Sequence, residues 1–196
     1  DEMQQLLTLI LDCKTPRRCS YQAAFIEYLN VDPLSAPLEQ LKHAGAPLQL
    51  GEVLENETDR DTLLQLLFCV AIEPYIAQDF PCFVYDFPAS QAALARINKT
   101  DPRVADRFEV YYRGVELANG FYELNSGAEQ LTRFQSDNQL RQQMGLPEMP
   151  IDHRFVACLD QLPDCAGVAL GLDRLLMLAS EQQHIDDVLS FTIEHA

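Results

Sequence analysis

The chain has 196 residues, 47% of them hydrophobic, and thirty acidic against fourteen basic side chains leave a formal charge of −16. That length and apolar content support one globular domain with its own core and exclude a disordered chain. The acidic balance argues against broad binding to a phosphate backbone, and the basic residues gather only weakly, at 14–18 and 96–107. No apolar run reaches the roughly 18 residues of a bilayer span and no basic-then-apolar leader is present, so a soluble, cytoplasmic protein without a membrane partner is expected.

In chain order, Leu6, Leu7, Ile10 and Leu11 recur at helical spacing and predict a helix over residues 2–12. A loop over 14–19 follows, and Ser20 is placed to cap a helix over 21–29. Asp32-Pro33 breaks that helix, Pro37 opens a short one to about His43, and Gly45-Ala-Pro47 ends it. Thr58 or Asp59 caps the strongest helix, 60–72, whose leucines leave little polar surface and predict burial on most sides. After Pro81 the pattern turns to β. Residues 82–87 read as a buried strand stopped by Pro88, and 108–112 with 115–124 read as a hairpin around Arg113-Gly114. A polar, largely solvated helix is predicted over 128–144, then a helix over 152–159, a short strand over 168–170, a helix over 173–179 and a last strand over 188–191. Helices gathered first and strands later indicate α+β rather than alternating βαβ units.

The six cysteines, at 13, 19, 69, 82, 158 and 165, form no Cys-x-x-Cys pair and no zinc spacing. They are expected as reduced thiols, with Cys69 and Cys82 buried in apolar runs. His43, His153, His184 and His195 stand apart from any nucleophile and are expected at the surface; no Gly-x-Ser-x-Gly or P-loop pattern occurs.

Two clusters carry chemistry. The first is Arg107-Phe-Glu109-Val-Tyr-Tyr-Arg-Gly-Val-Glu116-Leu-Ala-Asn119-Gly-Phe121-Tyr-Glu123. With Arg113-Gly114 as a two-residue turn, Tyr112 pairs with Val115 and Tyr111 with Glu116, so Glu109, Tyr111 and Glu116 share a face. Two carboxylates a diagonal step apart repel unless a cation lies between them, and hard oxygens of this kind suit Mg²⁺; the competing reading is that both simply face water. Parity turns Asn119, Phe121 and Glu123 away from Glu116, and a bulge near residues 118–120, permitted by Gly120, restores the common face. Asn119 and Glu123 then suit an ammonium group and Phe121 an apolar stem or a purine. A plain Asn-Gly turn is the alternative. In the second cluster, Gly167 and Gly171 flank a short apolar stretch containing Ala169, and Arg174 sits at a helix start, where it can fork onto phosphate oxygens. Taken alone, Asp173 reads as an N-cap and Arg174 as its surface partner.

The 116–123 run resembles the lysine-binding signature of the lysyl branch of class II aminoacyl-tRNA synthetases, and 167–174 resembles motif 3 of that class. Residues 59–68, 87–92 and 163–167 make the similarity closer still to the lysyl-tRNA synthetase paralogues that join (R)-β-lysine to elongation factor P. The resemblance spans essentially the whole chain. It implies a single domain, 1–196, forming the C-terminal portion of an α+β catalytic domain with an antiparallel sheet flanked by helices. It also implies ATP and Mg²⁺ as ligands. Glu109 and Glu116 are then metal and ATP ligands, Leu117 an ATP backbone contact, and Gly171 and Arg174 the rest of the ATP site, with Arg174 the catalytic cation. Asn119, Phe121 and Glu123 become the amino-acid pocket. Ala169 replaces the synthetases' glycine and is expected to favour a β-amine over an α-amine.

The implied partners are elongation factor P and (R)-β-lysine, without tRNA, in a homodimeric parent. The chain starts at Asp1 inside a helical pattern. Motifs 1 and 2 of the class are therefore expected upstream, and the isolated piece is expected to be inactive. The rival readings are a lysyl-tRNA synthetase catalytic fragment and a non-catalytic interaction module derived from the same fold.

Overall fold

A computed structural model describes residues 1–192. Helix α1 (Glu2–Leu11) ends at Asp12 in the left-handed region, and the short strand β1 (Arg17–Ser20) follows where a loop was expected. Ser20 caps α2 (Tyr21–Leu29) by accepting the Ala23 N–H at 3.1 Å. Helices α3 (Leu38–Gly45) and α4 (Gly51–Asn56) lead to α5 (Arg60–Leu67), capped by Asp59 through the Thr62 N–H at 2.7 Å. The predicted long helix does not run on regularly: Phe68–Ile72 is a π-turn, with the Glu73 N–H reaching back to the Phe68 carbonyl, and α6 (Glu73–Ile76) closes the segment.

Strands β2 (Cys82–Pro88), β3 (Val104–Tyr112) and β4 (Val115–Tyr122) come next, then α7 (Gly127–Gln143), α8 (His153–Leu159), β5 (Ala166–Leu170) and α9 (Leu172–Ala179). Residues 188–191, expected as a strand, form none; Ile185–Val188 is a 3₁₀ turn and Phe191 is exposed. The sheet has five strands in chain order, β1 to β5. It is mixed rather than purely antiparallel, because β1 runs parallel to β2, Arg17 opposite Cys82 and Ser20 opposite Tyr85. The other pairings are antiparallel, and the α+β class stands.

Each sheet face packs under helices. On one side Tyr21, Phe25, Leu64, Leu67 and Phe68 meet Cys82, Val84, Phe87 and Tyr111 in the larger core, with the Tyr21 and Phe68 rings stacked at 5.3 Å. On the other, Leu7 of α1 and Leu175, Met177 and Leu178 of α9 cover Val110, Tyr112, Leu117 and Ala118. Burying a leucine or phenylalanine this fully stabilises by about 1.5–3 kcal/mol each, which locks the middle strands between the layers. Helix α7 is largely solvated, as expected, with Gln130 and Asn138 the polar residues it buries, Asn138 by bonding both Met149 backbone groups. Cys82 is buried as expected, but Cys69 is exposed on the wall of a cavity. All six cysteines are free, and His43, His153 and His184 are exposed, while His195 lies outside the described residues.

Candidate functional site

The hairpin turn places Arg113 at φ 50° and Gly114 at φ 74°, the two left-handed residues that bring twisted strands back on themselves. Tyr111 faces Glu116 and Tyr112 faces Val115, the expected register. Two residues further on the register shifts: Val110 pairs with Ala118, leaving Leu117 as the extra residue of a bulge. The bulge is therefore at Leu117 and not at residues 118–120. Leu117 turns its side chain into the α1–α9 core, and Asn119 arrives opposite Glu109 on the face of Tyr111 and Glu116. Gly120 has another task. It pairs with Phe108, whose ring lies where a Cβ would stand, so the glycine seats that ring rather than bending the strand.

From Asn119 onward the alternation continues across β4 and β5. Asn119 pairs with Ala169 and Phe121 with Gly167, so Glu109, Glu116, Asn119, Phe121 and Ala169 lie on one face, as required for a shared site. Glu123 joins them beyond the end of β4, its N–H bonded to the Cys165 carbonyl at 3.0 Å and its carboxylate folded over Gly167, where a Cβ would overlap Oε1. A cavity of about 290 Å³ opens beside this face, between α5–α6 and β3, with Glu73, Glu109, Glu116 and Tyr111 among its walls.

Hydrogen bonds separate these carboxylates. Glu109 is buried, and its oxygens accept from Arg107 Nη2, Tyr111 Oη and, at 3.1 Å, Asn119 Nδ2. Burial and the neighbouring Glu109 hold the Tyr111 hydroxyl protonated far above its usual range. Among the described residues, Glu116 and Glu123 accept no side-chain hydrogen bond on their carboxylates, and Asn119 Oδ1 is buried without a partner. Burial pushes the Glu116 carboxyl above its ordinary value, and the Glu109 charge adds to that; burial alone raises Glu123. Glu73, set by the π-turn, is raised in the same way.

Arg174 lies in the first turn of α9, its stem resting on Gly171, where a Cβ would come within 3.3 Å of Cδ. Its Nη1 donates to the Glu116 carbonyl at 2.7 Å and stands 4.0 Å from the Glu116 carboxylate, so one corner of the guanidinium is anchored and the rest faces outward. The N-cap of α9 is Gly171, not Asp173, and the Gly171 N–H is bonded to the Leu117 carbonyl at 2.9 Å. The Leu117 carbonyl is therefore already engaged within the chain.

Arg107, Tyr111 and Glu73 were not singled out as site residues from sequence. Arg107 and Tyr111 follow from the i, i+2 alternation through Glu109; Glu73 has no such signal, because its orientation depends on the π-turn. The arginines of the weak basic clusters are paired with acids: Arg17 with Glu27, Arg18 with Asp1, Arg96 with Asp106, Arg103 with Asp101 and Arg107 with Glu109. Among the described residues no three His, Cys, Asp or Glu side chains come together as a ready ion cage. One open carboxylate (Glu116) and one hydrogen-bonded carboxylate (Glu109) still fit Mg²⁺, which takes one or two carboxylates and completes its shell with phosphate and water. No helix among the described residues is long and apolar enough to cross a membrane.

Residues 11–195 match the family described as tRNA synthetases class II (D, K and N). The whole chain is 58% identical to an elongation factor P–(R)-β-lysine ligase of Vibrio cholerae, and 55% identical to the ligases of that name from Yersinia pestis and Yersinia pseudotuberculosis. In each case the match covers 100% of this chain and 61% of the relative's length. With its matched residues and its α+β sheet architecture, the chain belongs to the class II tRNA synthetases of the D, K and N group.

Proposed function

We propose that this chain supplies the amino-acid pocket and part of the nucleotide site of an ATP-dependent ligase. The enzyme activates (R)-β-lysine as an adenylate and passes it to a lysine side chain of elongation factor P, in the cytoplasm and as a homodimer. The observation that carries the reading is a pair of acceptors on one sheet face. Among the described residues, Asn119 Oδ1 and the Glu123 carboxylate are both without a hydrogen-bond donor, with Phe121 between them in sequence. An unpaired buried acceptor such as Asn119 Oδ1 costs about 1–3 kcal/mol, and a cationic, donor-only amine on an apolar stem supplies the kind of donor that both acceptors lack. Nearby, the outward side of the Arg174 guanidinium suits terminal phosphate oxygens, and Glu116 with Glu109 suits Mg²⁺, which supplies charge neutralisation on the phosphates. The names of the relatives point to the same substrates.

The chemistry needs position more than a nucleophilic side chain. The β-lysine carboxylate attacks the α-phosphorus of ATP; one phosphoanhydride bond breaks, pyrophosphate leaves, and a mixed anhydride forms. The amine of the acceptor lysine, having lost a proton, then attacks the anhydride carbonyl, and AMP leaves as the amide forms. In the first step Asn119 and Glu123 hold the cationic substrate, Phe121 packs its stem, and Arg174 takes up negative charge on the departing group. Ala169 lies directly across from Asn119 on the same sheet face, where its methyl would take space from an amine on the α-carbon. The test is ATP–pyrophosphate exchange by a protein carrying this chain at the relatives' full length. Exchange is expected with (R)-β-lysine well above α-lysine, and absence of exchange with the β-isomer would overturn the reading.

A further inference from the structure

We propose that Arg107 and Tyr111 are positioning residues that, acting through Glu109, hold the Asn119 amide with its oxygen turned to the substrate. The inference rests on the function proposed above and deepens it. A side-chain amide has two ends of nearly equal size, one donor and one acceptor, and only its hydrogen bonds decide which end faces a ligand. Here Asn119 Nδ2 donates to Glu109 Oε1 at 3.1 Å; the flipped amide would set two oxygens against each other. Glu109 is not free to adapt, being 7% exposed and already accepting from Arg107 Nη2 and Tyr111 Oη.

Those two donors are anchored in turn. Arg107 Nη1 donates to the Gln91 carbonyl at 2.7 Å and its guanidinium lies 4.6 Å from the Phe87 ring centre; the Tyr111 ring packs against Phe68 at 5.5 Å. A hydrogen-bonded relay therefore runs from the larger core through Glu109 to Asn119, and it leaves Asn119 Oδ1 as the buried end without a partner among the described residues. A site that presents an oxygen there accepts a donor-only ammonium and rejects a carbonyl or carboxylate. With three donors on Glu109, Glu116 is the more open of the two carboxylates proposed to hold Mg²⁺.

The test uses Tyr111→Phe, which keeps the ring and removes the O–H, in the protein of the relatives' full length. Losing one hydrogen bond of the relay is expected to raise KM for the lysine substrate about 3- to 10-fold, with KM for ATP within twofold. In an Asn119→Ala background the same substitution is expected to add nothing, because the residue through which it acts is gone. An equal effect in both backgrounds, or an effect falling on ATP, would overturn the proposal and make Tyr111 a packing residue. The Asn119 side-chain amide resonances give a readout independent of activity: they are expected to shift when Glu109 is changed to Gln and to shift again in Tyr111→Phe. Should no lysine isomer support exchange, the proposed function falls while these resonances still decide the relay; resonances unmoved by either substitution refute it.

Discussion

Adding a single methyl at Gly167 separates the site from the fold. An alanine Cβ there would stand inside the 3.0 Å that real Cβ atoms respect, and the atom it meets is Oε1 of Glu123, the far end of a flexible side chain. The strand itself is not obstructed: Gly167 pairs with Phe121 in ordinary antiparallel register, and among the described residues the added Cβ would meet Glu123 side-chain atoms. Glu123 can swing away, so the fold is expected to keep its stability to within about 0.5 kcal/mol, as for a surface substitution. The swing carries the carboxylate off the sheet face. If that carboxylate holds an ammonium, a charge-assisted hydrogen bond worth about 1.5–3 kcal/mol is lost. At about 1.4 kcal/mol per tenfold, Gly167→Ala should lower kcat/KM for the lysine substrate roughly 10- to 150-fold. KM for ATP should change little. The assay is pyrophosphate exchange under varied lysine isomer and varied ATP, beside a thermal melt of the same preparation. A melt several degrees lower with unchanged kcat/KM for the amino acid would refute the reasoning, since Gly167 would then be needed for packing rather than to leave room for Glu123.

Gly120→Ala should behave in the opposite way: its Cβ meets the Phe108 ring and the Gly167 carbonyl at 3.0 Å, so overpacking should cost about 1–3 kcal/mol and lower Tm by roughly 2–12 °C, an effect that Phe108→Ala should relieve; a melt within 1 °C of the parent would contradict this. Ala169→Gly, across from Asn119, should shift the ratio of catalytic efficiencies from β-lysine toward α-lysine by about 10- to 200-fold, and a ratio within about twofold would make Ala169 ordinary strand packing. Glu123→Gln should raise KM for the lysine substrate and spare ATP. Because burial raises the Glu123 carboxyl above 4.5, lysine affinity should fall as pH drops through a midpoint above that value, when the carboxylate gains its proton, and the substitution should abolish that limb; a limb that persists in the Gln variant assigns it to another group.

How far the residues announced this arrangement depends on whether the information is local. Ser20 and Asp59 cap the helices predicted for them because capping involves only the next three residues. The Arg113-Gly114 turn and the Tyr111–Glu116 pairing follow from the two-residue period of a strand. The common face of Glu109, Glu116, Asn119 and Phe121 required a bulge, and its need was legible while its place was not. Leu117 takes the extra position because the α1–α9 core draws its side chain in, whereas Gly120 answers to the Phe108 ring, and both are long-range contacts. Strand β1, Arg-Arg-Cys-Ser, shows almost no apolar alternation; it is a strand because β2 offers it a free edge. Cys69 sits in an apolar run and still faces a cavity, since the π-turn changes the helix phase around it.

The proposed task of this sheet face is to serve an enzyme that loads β-lysine onto a protein. The most direct measurement is the intact mass of elongation factor P after incubation with ATP, (R)-β-lysine and the protein carrying this chain at the relatives' full length. A gain of one lysyl mass on a single lysine of the factor is expected, absent without ATP and strongly reduced with Glu123→Gln. An unchanged factor, with the amino acid appearing instead on tRNA, would contradict it.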